Sequence, residues 1–166
     1  VAPAVPKETK IIPSPTPTPV TFLEVKVKFP PTEKYPEELT AEISLQSSDS
    51  ATPKLKETLA LRNQAEGEYR GKIDSPAEGT FDLSLKENFS LSRELKAIKV
   101  NPGSNFYDFS DRPLVRGDLN NDDRIDSLDL GILVGQFRNQ EKTTSPADLN
   151  FDGQVNGLDL TILLAN

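Results

Sequence analysis

The sequence predicts two domains of different class, an all-β antiparallel sandwich followed by a small α-helical domain. Two observations carry this prediction. From residue 20 to about residue 112, apolar and polar residues alternate in short runs, which is the pattern of half-buried strands. Beyond that point a twelve-residue motif occurs twice, 30 positions apart, and each copy leads into an apolar run with helical character. A chain of 166 residues is long enough for two small domains.

The first segment, residues 1–19, is rich in proline. It holds six prolines, and between Pro13 and Pro19 they alternate with Ser or Thr. Such a sequence favours an extended, solvated polyproline conformation. We therefore predict a semi-rigid linker here, and a disordered tail without a spacing role is the alternative.

The second segment, residues 20–112, contains seven candidate strands. In the first of them Leu23, Val25 and Val27 alternate with charged residues, so the apolar side chains share one face. The other candidates contain Ala41, Ile43 and Leu45; Leu59 and Leu61; Tyr69, Gly71 and Ile73; Phe81, Leu83 and Leu85; Leu95 to Val100; and Phe106 to Phe109. The apolar phase shifts between Leu95 and Val100, which predicts a β-bulge.

Seven short strands in about ninety residues are typical of an immunoglobulin-like antiparallel sandwich. The chain has no Cys, Trp or His, and this segment has neither a Gly-rich phosphate loop nor a Gly-x-Ser-x-Gly motif. We expect a structural role for the sandwich, with a surface that binds sugar or protein as the alternative.

The third segment, residues 113–166, carries most of the net charge of -7. Residues 118–166 hold nine acidic and three basic residues, whereas the first 117 hold 17 and 16. An acidic chain is a poor candidate for nucleic-acid binding, and a confined acidic cluster favours a cation. The sequence also lacks an apolar run long enough to insert into a membrane and a signal-peptide pattern.

Both copies of the motif, the first loop (Asp118 to Asp129) and the second loop (Asp148 to Asp159), carry oxygen-bearing side chains at positions 1, 3, 5, 9 and 12. Calcium takes six to eight oxygens, and a twelve-residue loop supplies them from these side chains and the carbonyl at position 7. We predict two Ca²⁺ ions, with Mg²⁺ a weaker candidate. The predicted ligands are Asp118, Asn120, Asp122, Arg124 (carbonyl), Asp126 and Asp129, then Asp148, Asn150, Asp152, Gln154 (carbonyl), Asn156 and Asp159.

Two further loop positions carry expectations. Position 6 needs a positive φ, which Gly153 adopts freely and Asp123 only at a cost of about 1 kcal/mol. The first site is therefore expected to be the less well formed, although the extra carboxylate at Asp126 acts in the opposite sense. At position 8, Ile125 and Val155 are expected to form a short paired strand and to point into the core between the loops.

Each loop is followed by a predicted helix, and none precedes the first loop because Pro113 and Gly117 interrupt the approach. An ordinary EF-hand has an entering helix and usually Glu at position 12, where this chain has Asp129 and Asp159. In these departures, and in the pattern Asp-x-Asn-x-Asp-Gly-x-hydrophobic-Asn-x-x-Asp-Leu, residues 117–166 resemble type I dockerins.

The resemblance implies a docking module that binds a cohesin-type partner at the cell surface or outside the cell, with a link to polysaccharide degradation. It predicts a domain at residues 113–166, in a protein expected to be a monomer. The partner contacts that it implies are Ser127, Leu128, Val134, Gly135 and Asn139 in the first copy, and Gly157, Leu158, Leu164 and Ala165 in the second.

Two alternatives remain at this point. The apolar contact positions could pack against the chain's own sandwich, and the whole chain could be a calcium-stabilised structural stalk without a cohesin partner. An enzyme is not expected, because the chain has neither His nor Cys and its clustered carboxylates are engaged by metal.

Overall fold

The computed structural model describes residues 20–32, 34–47, 50, 53–75, 78–137 and 145–166. The segment predicted to be a linker, residues 1–19, lies outside them. The elements are β1 (Phe22–Lys28), β2 (Glu38–Gln46), β3 (Leu55–Ala65), β4 (Glu68–Asp74), β5 (Gly79–Glu87), β6 (Arg93–Val100), β7 (Ser104–Asp108), α1 (Ser127–Gln136) and α2 (Gly157–Ala165). All seven predicted strands and both predicted helices are therefore present.

The seven strands form one hydrogen-bonded sheet in the order β6-β5-β2-β3-β4-β1-β7. Strands β6 and β7 lie at its two ends, yet only residues 101–103 connect them. A connection of that length spans at most about 14 Å, close to the separation of about 10 Å between packed sheets. The sheet must therefore fold over until its two edges lie across the core from each other, which makes the predicted sandwich.

One face of each half of the sheet fills the core of the sandwich. Val25 of β1 and Ile43 of β2 are both fully buried, and so are Tyr69 of β4 and Leu83 of β5. They belong to one apolar cluster although β1 and β2 are not neighbours in the sheet. The alternation in the sequence thus predicted the buried face correctly.

The sandwich departs from the antiparallel prediction at one place, because β7 pairs with β1 in parallel. The short turn after β6 reverses the chain, so β7 runs opposite to β6. At the edge where β7 arrives, β1 runs in the same direction as β7, and the two strands therefore pair in parallel. The predicted bulge in β6 is confirmed. Its register against β5 shifts between Phe81 and Leu83, and Ala97 has a φ of 52° while its N–H donates to Asp82 at 2.9 Å.

The helical domain, residues 116–166, has a small core of its own. Five buried residues form it, and apolar side chains from both loops and both helices pack around them. The five are Leu119, Leu133, Ala147, Leu149 and Leu163. Within the described ranges, no helix is long and apolar enough to cross a membrane.

The two domains are joined by backbone hydrogen bonds as well as by the chain itself. The turn after β5 accepts and donates bonds across the junction: Leu91 donates to Val115 at 2.9 Å, and Gly117 donates to Phe89 at 2.8 Å. Leu114 lies fully buried in the sandwich core. The entry to the first loop is therefore held by the sandwich.

Candidate metal centres

In the first loop, the carboxylate at position 1 organises the backbone of the turn. Asp118 is fully buried. Its Oδ1 accepts the Asp122 N–H at 3.0 Å and its Oδ2 accepts the Asp123 N–H at 2.9 Å. Asn120 and Asp122 lie beside each other, since the Asn120 amide donates to Asp122 at 2.8 Å. These bonds bring the side chains at positions 1, 3 and 5 to one side of the loop.

The second loop repeats the same pattern. Asp148 accepts the N–H groups of Asp152 at 3.1 Å and Gly153 at 2.8 Å, and the Asn150 amide donates to Asp152 at 2.9 Å. Burial raises the pKa of Asp148, and the neighbouring carboxylates of Asp159 and Asp152 raise it further. An ion that draws these acidic groups together would relieve that repulsion.

The carboxylates at position 12 close the two loops. Asp129 and Asp159 are fully buried. Asp129 Oδ1 accepts from Leu119 at 2.7 Å and from Asn120 at 3.2 Å, and its Oδ2 accepts from Asp126 at 2.8 Å. Asp159 accepts the three equivalent bonds at 2.7, 3.3 and 2.8 Å. Since each oxygen carries two lone pairs, Oδ2 keeps one free, whereas an ion at Oδ1 would compete with the longer of its two bonds.

The residues at position 9 have a structural function that the sequence analysis did not identify. Asp126 is the N-cap of α1 and accepts the Leu128 N–H at 2.8 Å. Asn156 is the N-cap of α2 and accepts the Leu158 N–H at 2.7 Å. With the position-12 carboxylates they form capping boxes. The signal was present in the sequence, because an Asp or Asn followed three residues later by an acid is a helix start.

The oxygen set of each loop fits a hard cation. Carboxylate and amide oxygens lie at the spacing that calcium uses, and three of the position-1 and position-12 carboxylates are fully buried. Among the described residues, no group of three or more acidic side chains converges as a metal cluster by itself. Asn oxygens and the carbonyls of Arg124 and Gln154 would therefore have to complete each set.

The position-8 residues are placed as expected in one respect only. Ile125 and Val155 pack against the core of the helical domain. Neither lies in a strand or β-bridge, so the predicted short paired strand is wrong. The two loops are joined at these positions by apolar packing instead of by backbone hydrogen bonds between paired strands.

Asp123, at position 6 of the first loop, adopts the expected left-handed conformation with φ of 67°. Its side chain accepts from the Ser92 N–H and the Ser92 hydroxyl, both at 2.6 Å, and from the Lys86 ammonium at 3.2 Å. Lys86 also donates to Asp118 at 2.5 Å. Burial works to lower the pKa of Lys86, but its bonds to Asp118 and Asp123 outweigh burial and raise the pKa. The hydrogen bonds of this loop are as short as those of the second, so the unusual residue causes no visible distortion.

The second loop meets the sandwich through Arg116. The guanidinium donates to the Asp148 carbonyl at 3.1 Å and lies 4.2 Å from the centroid of the Phe151 ring. Its Nε is 3.6 Å from Glu87 Oε2, too long for a hydrogen bond, so this attraction is electrostatic. Burial raises the pKa of Glu87, and the opposing effects of Arg116 and Ser90 do not cancel it. Thr32 also donates its hydroxyl to the Asn150 carbonyl.

Large apolar side chains at the predicted contact positions of both helices are exposed. The exposed fractions are 61% for Leu128, 48% for Val134, 60% for Leu158 and 68% for Leu164. They do not pack against the sandwich, so that alternative is wrong. Ser127, Gly135, Gly157 and Ala165 are exposed as well, and Asn139 lies outside the described residues.

The sequence analysis missed the residues that hold the loops to the sandwich, above all Lys86, Glu87, Ser92 and Arg116. The only local signal was Asp123 itself, because an Asp at a position that favours Gly indicates a use for its side chain. Nothing in the sequence around β5 identifies Lys86 as a partner of Asp123, or Glu87 as a partner of Arg116.

Comparison with known proteins supports the assignment of the second domain. Residues 116–166 match the family model described as the dockerin type I domain, which confirms the resemblance of this segment. No curated protein matched the chain.

Solved structures resemble the chain over both domains. One is an N-terminal interface mutant of a type II cohesin–X–dockerin complex from Acetivibrio cellulolyticus, at 17% identity and a TM-score of 0.54. Another is a C-terminal interface mutant of the same kind of complex from that organism, at 18% identity and a TM-score of 0.55. Each match covers 87% of this chain and 94% of the other. At such identity the likeness shows the fold alone, so the type I assignment depends on the family model.

Proposed function

We propose that this chain is a calcium-dependent docking module that binds a cohesin-type partner and so attaches its protein to an assembly outside the cell or on its surface. The observation that carries the proposal is the exposure of Leu128, Val134, Leu158 and Leu164 on the two helices that follow the loops. Exposed apolar side chains grouped on short elements are typical of partner surfaces. Burial of these side chains against a partner would supply most of the favourable binding free energy.

Two calcium ions are proposed, one in each loop. Type I dockerin domains generally bind calcium, and the matching hydrogen-bond patterns of the two loops support a site in each. The ion supplies positive charge between acidic groups, while the chain's own bonds orient their oxygens. The proposed ligands are those predicted from the sequence: Asp118, Asn120, Asp122, Arg124, Asp126 and Asp129, and Asp148, Asn150, Asp152, Gln154, Asn156 and Asp159.

The proposed organisation is a linker at residues 1–19, an immunoglobulin-like sandwich at 20–112 and the docking domain at 113–166. Dockerin domains are non-catalytic docking modules, and we propose no catalytic role for this chain. A link to polysaccharide degradation stays a prediction.

A calcium-stabilised stalk is the second candidate. The observation that favours it is the contact of both loops with the sandwich through Lys86 and Arg116, which would stiffen the chain whether or not a partner binds. A stalk needs the loops and their interface with the sandwich, but it does not require exposed apolar side chains on the two helices.

Calorimetric titration of the full chain with a panel of cohesin domains, with and without chelator, separates the candidates. We expect binding to one member with calcium, and its loss in chelator. Leu128→Asp or Leu158→Asp should weaken it at least about 30-fold if either side chain is a central contact. Phe106→Asp, which alters a side chain 49% exposed on the sandwich, is the matched control. Normal calcium binding with no affinity for any cohesin would favour the stalk.

A further inference from the structure

Lys86, at the end of β5, reaches from the sandwich to the first loop. Its ammonium donates to Asp118 at 2.5 Å, to Asp123 at 3.2 Å and to the Ser90 carbonyl at 3.0 Å. A lysine ammonium has three donors, so all three are engaged. The side chain retains 22% exposure, whereas that of Asp118 has none.

The two loops differ in what balances the carboxylate at position 1. Asp118 has the Lys86 ammonium on its Oδ2. Within the described residues no Lys or Arg side chain forms an ion pair with the carboxylate of Asp148, because Arg116 contacts only its backbone carbonyl. The carboxylate of Asp148 accepts two backbone N–H groups but, among the described residues, no charged donor. Charged donors bind a carboxylate more strongly than neutral ones, so the second loop depends on its metal more than the first does.

We propose that Lys86 is a positioning residue for the first calcium loop, holding it closed against the sandwich when calcium is absent. This inference rests on the proposed function, since it assumes that calcium binds the loops. When calcium leaves, the second loop opens first, while the first loop keeps its shape around the ammonium. The helical domain then stays in contact with the sandwich through the first loop only.

A simple surface ion pair would not have this effect. Exposed pairs contribute little because water and salt screen them. The Lys86 contact differs in that its acceptor is fully buried and also receives the N–H groups of Asp122 and Asp123. Loss of the ammonium would leave a charged, desolvated carboxylate as the centre of the turn.

Amide exchange of the full chain tests the proposal, because the two loops offer equivalent reporters. The N–H groups of Asp122 and Asp123 donate to Asp118, and those of Asp152 and Gly153 donate to Asp148. In chelator, the first pair should exchange more slowly than the second. Lys86→Met should raise the opening constant of the first pair about tenfold, the effect expected from one hydrogen bond to a charged group.

With saturating calcium the same substitution should change exchange by less than about threefold, because the ion then balances Asp118. Lys56→Met is the matched control, since Lys56 pairs with Glu42 at 3.0 Å on an exposed surface of the sandwich. Amides of Val25 and Leu83 report whether the sandwich stays folded.

Asp123→Gly gives a second test that does not depend on Lys86→Met folding. If the side chain at position 6 makes no stabilising contact, Gly removes the strain of the positive φ and slows exchange of the Asp122 amide in chelator. If the contacts with Lys86 and Ser92 hold the loop, the same change speeds exchange of Asp122 in chelator.

The proposal is overturned if Lys86→Met matches Lys56→Met in chelator, or if Asp123→Gly protects the loop. A chain that binds no calcium would instead contradict the proposed function. The comparison of Lys86→Met with Lys56→Met in chelator would still test whether Lys86 holds the first loop.

Discussion

The two calcium loops are alike where they would meet the metal and different where they meet the sandwich. Positions 1 and 12 are Asp in both loops, and the bonds that these residues accept agree within 0.1 Å. Positions 4 and 6 are Asn121 and Asp123 in the first loop but Phe151 and Gly153 in the second. A metal fixes the spacing of its ligands, whereas the remaining positions are free to fit a neighbouring surface.

Those differing positions give each loop its own kind of contact. Asn121 accepts the Phe89 N–H at 3.2 Å and Asp123 accepts from Ser92 and Lys86, so the first loop binds the sandwich through polar groups. Phe151 lies between Arg116 and the Phe29 ring, the ring centroids being 6.3 Å apart. The duplicated motif therefore produces two unlike interfaces. The first uses hydrogen bonds to polar loop side chains, and the second uses an aromatic ring packed on the buried Arg116.

Removal of calcium should have the largest effect on stability, and it should affect the second loop most, the first loop less and the sandwich least. Each independent site adds about 2.7 kcal/mol at a free concentration one hundred times its dissociation constant, which is comparable with the stability of so small a core. In chelator we expect fast amide exchange in the second loop and helix α2, slower exchange in the first loop, and no change in the sandwich. Unchanged protection of Leu160 and Leu163 in α2 would contradict metal-coupled folding.

Arg116→Met should have the next largest effect and should act on the second loop. The side chains of Arg116 and Glu87 are 7% and 3% exposed, and breaking a buried ion pair costs about 3–5 kcal/mol because one charge is left alone. Chemical denaturation of the calcium-loaded chain measures the loss. Because Glu87 then lacks its charged partner, the double variant with Glu87→Gln should recover part of it; a double variant as unstable as Arg116→Met would show that the pair is not the cause.

The sequence was sufficient for the features that a local rule controls. Alternation of apolar residues predicted the strands, and the spacing of oxygen side chains predicted the loops, because both patterns repeat a physical requirement at fixed intervals. The contacts of Lys86 and Arg116 could not be predicted, since the chemistry of a charged residue does not reveal which distant segment will bury it. The parallel pairing of β7 was missed for the same reason: it depends on how the sheet folds over.

Asp159→Ala should weaken calcium binding at the second site more than Asn156→Ala. Asp159 is fully buried and accepts three backbone N–H groups, so its loss removes a charged ligand and opens the loop. Asn156 accepts the Leu158 N–H, and loss of such a cap costs about 1 kcal/mol. We expect a difference of about tenfold or more in the dissociation constant measured by calorimetry. Equal losses would mean that the two ligand roles are assigned wrongly.

Gly153→Asp should have the smallest effect, and it makes the second loop resemble the first. Gly153 has a φ of 87° and a Cβ there would meet nothing within 4 Å, so the cost is conformational and about 1 kcal/mol. In the first loop Ser92 and Lys86 offset this cost for Asp123. Among the described residues no Lys or Arg of the sandwich forms an ion pair with the second loop. Thermal denaturation with calcium should therefore show a small loss for Gly153→Asp, and a gain would mean that an acidic residue at position 6 stabilises the loop without any contact to the sandwich.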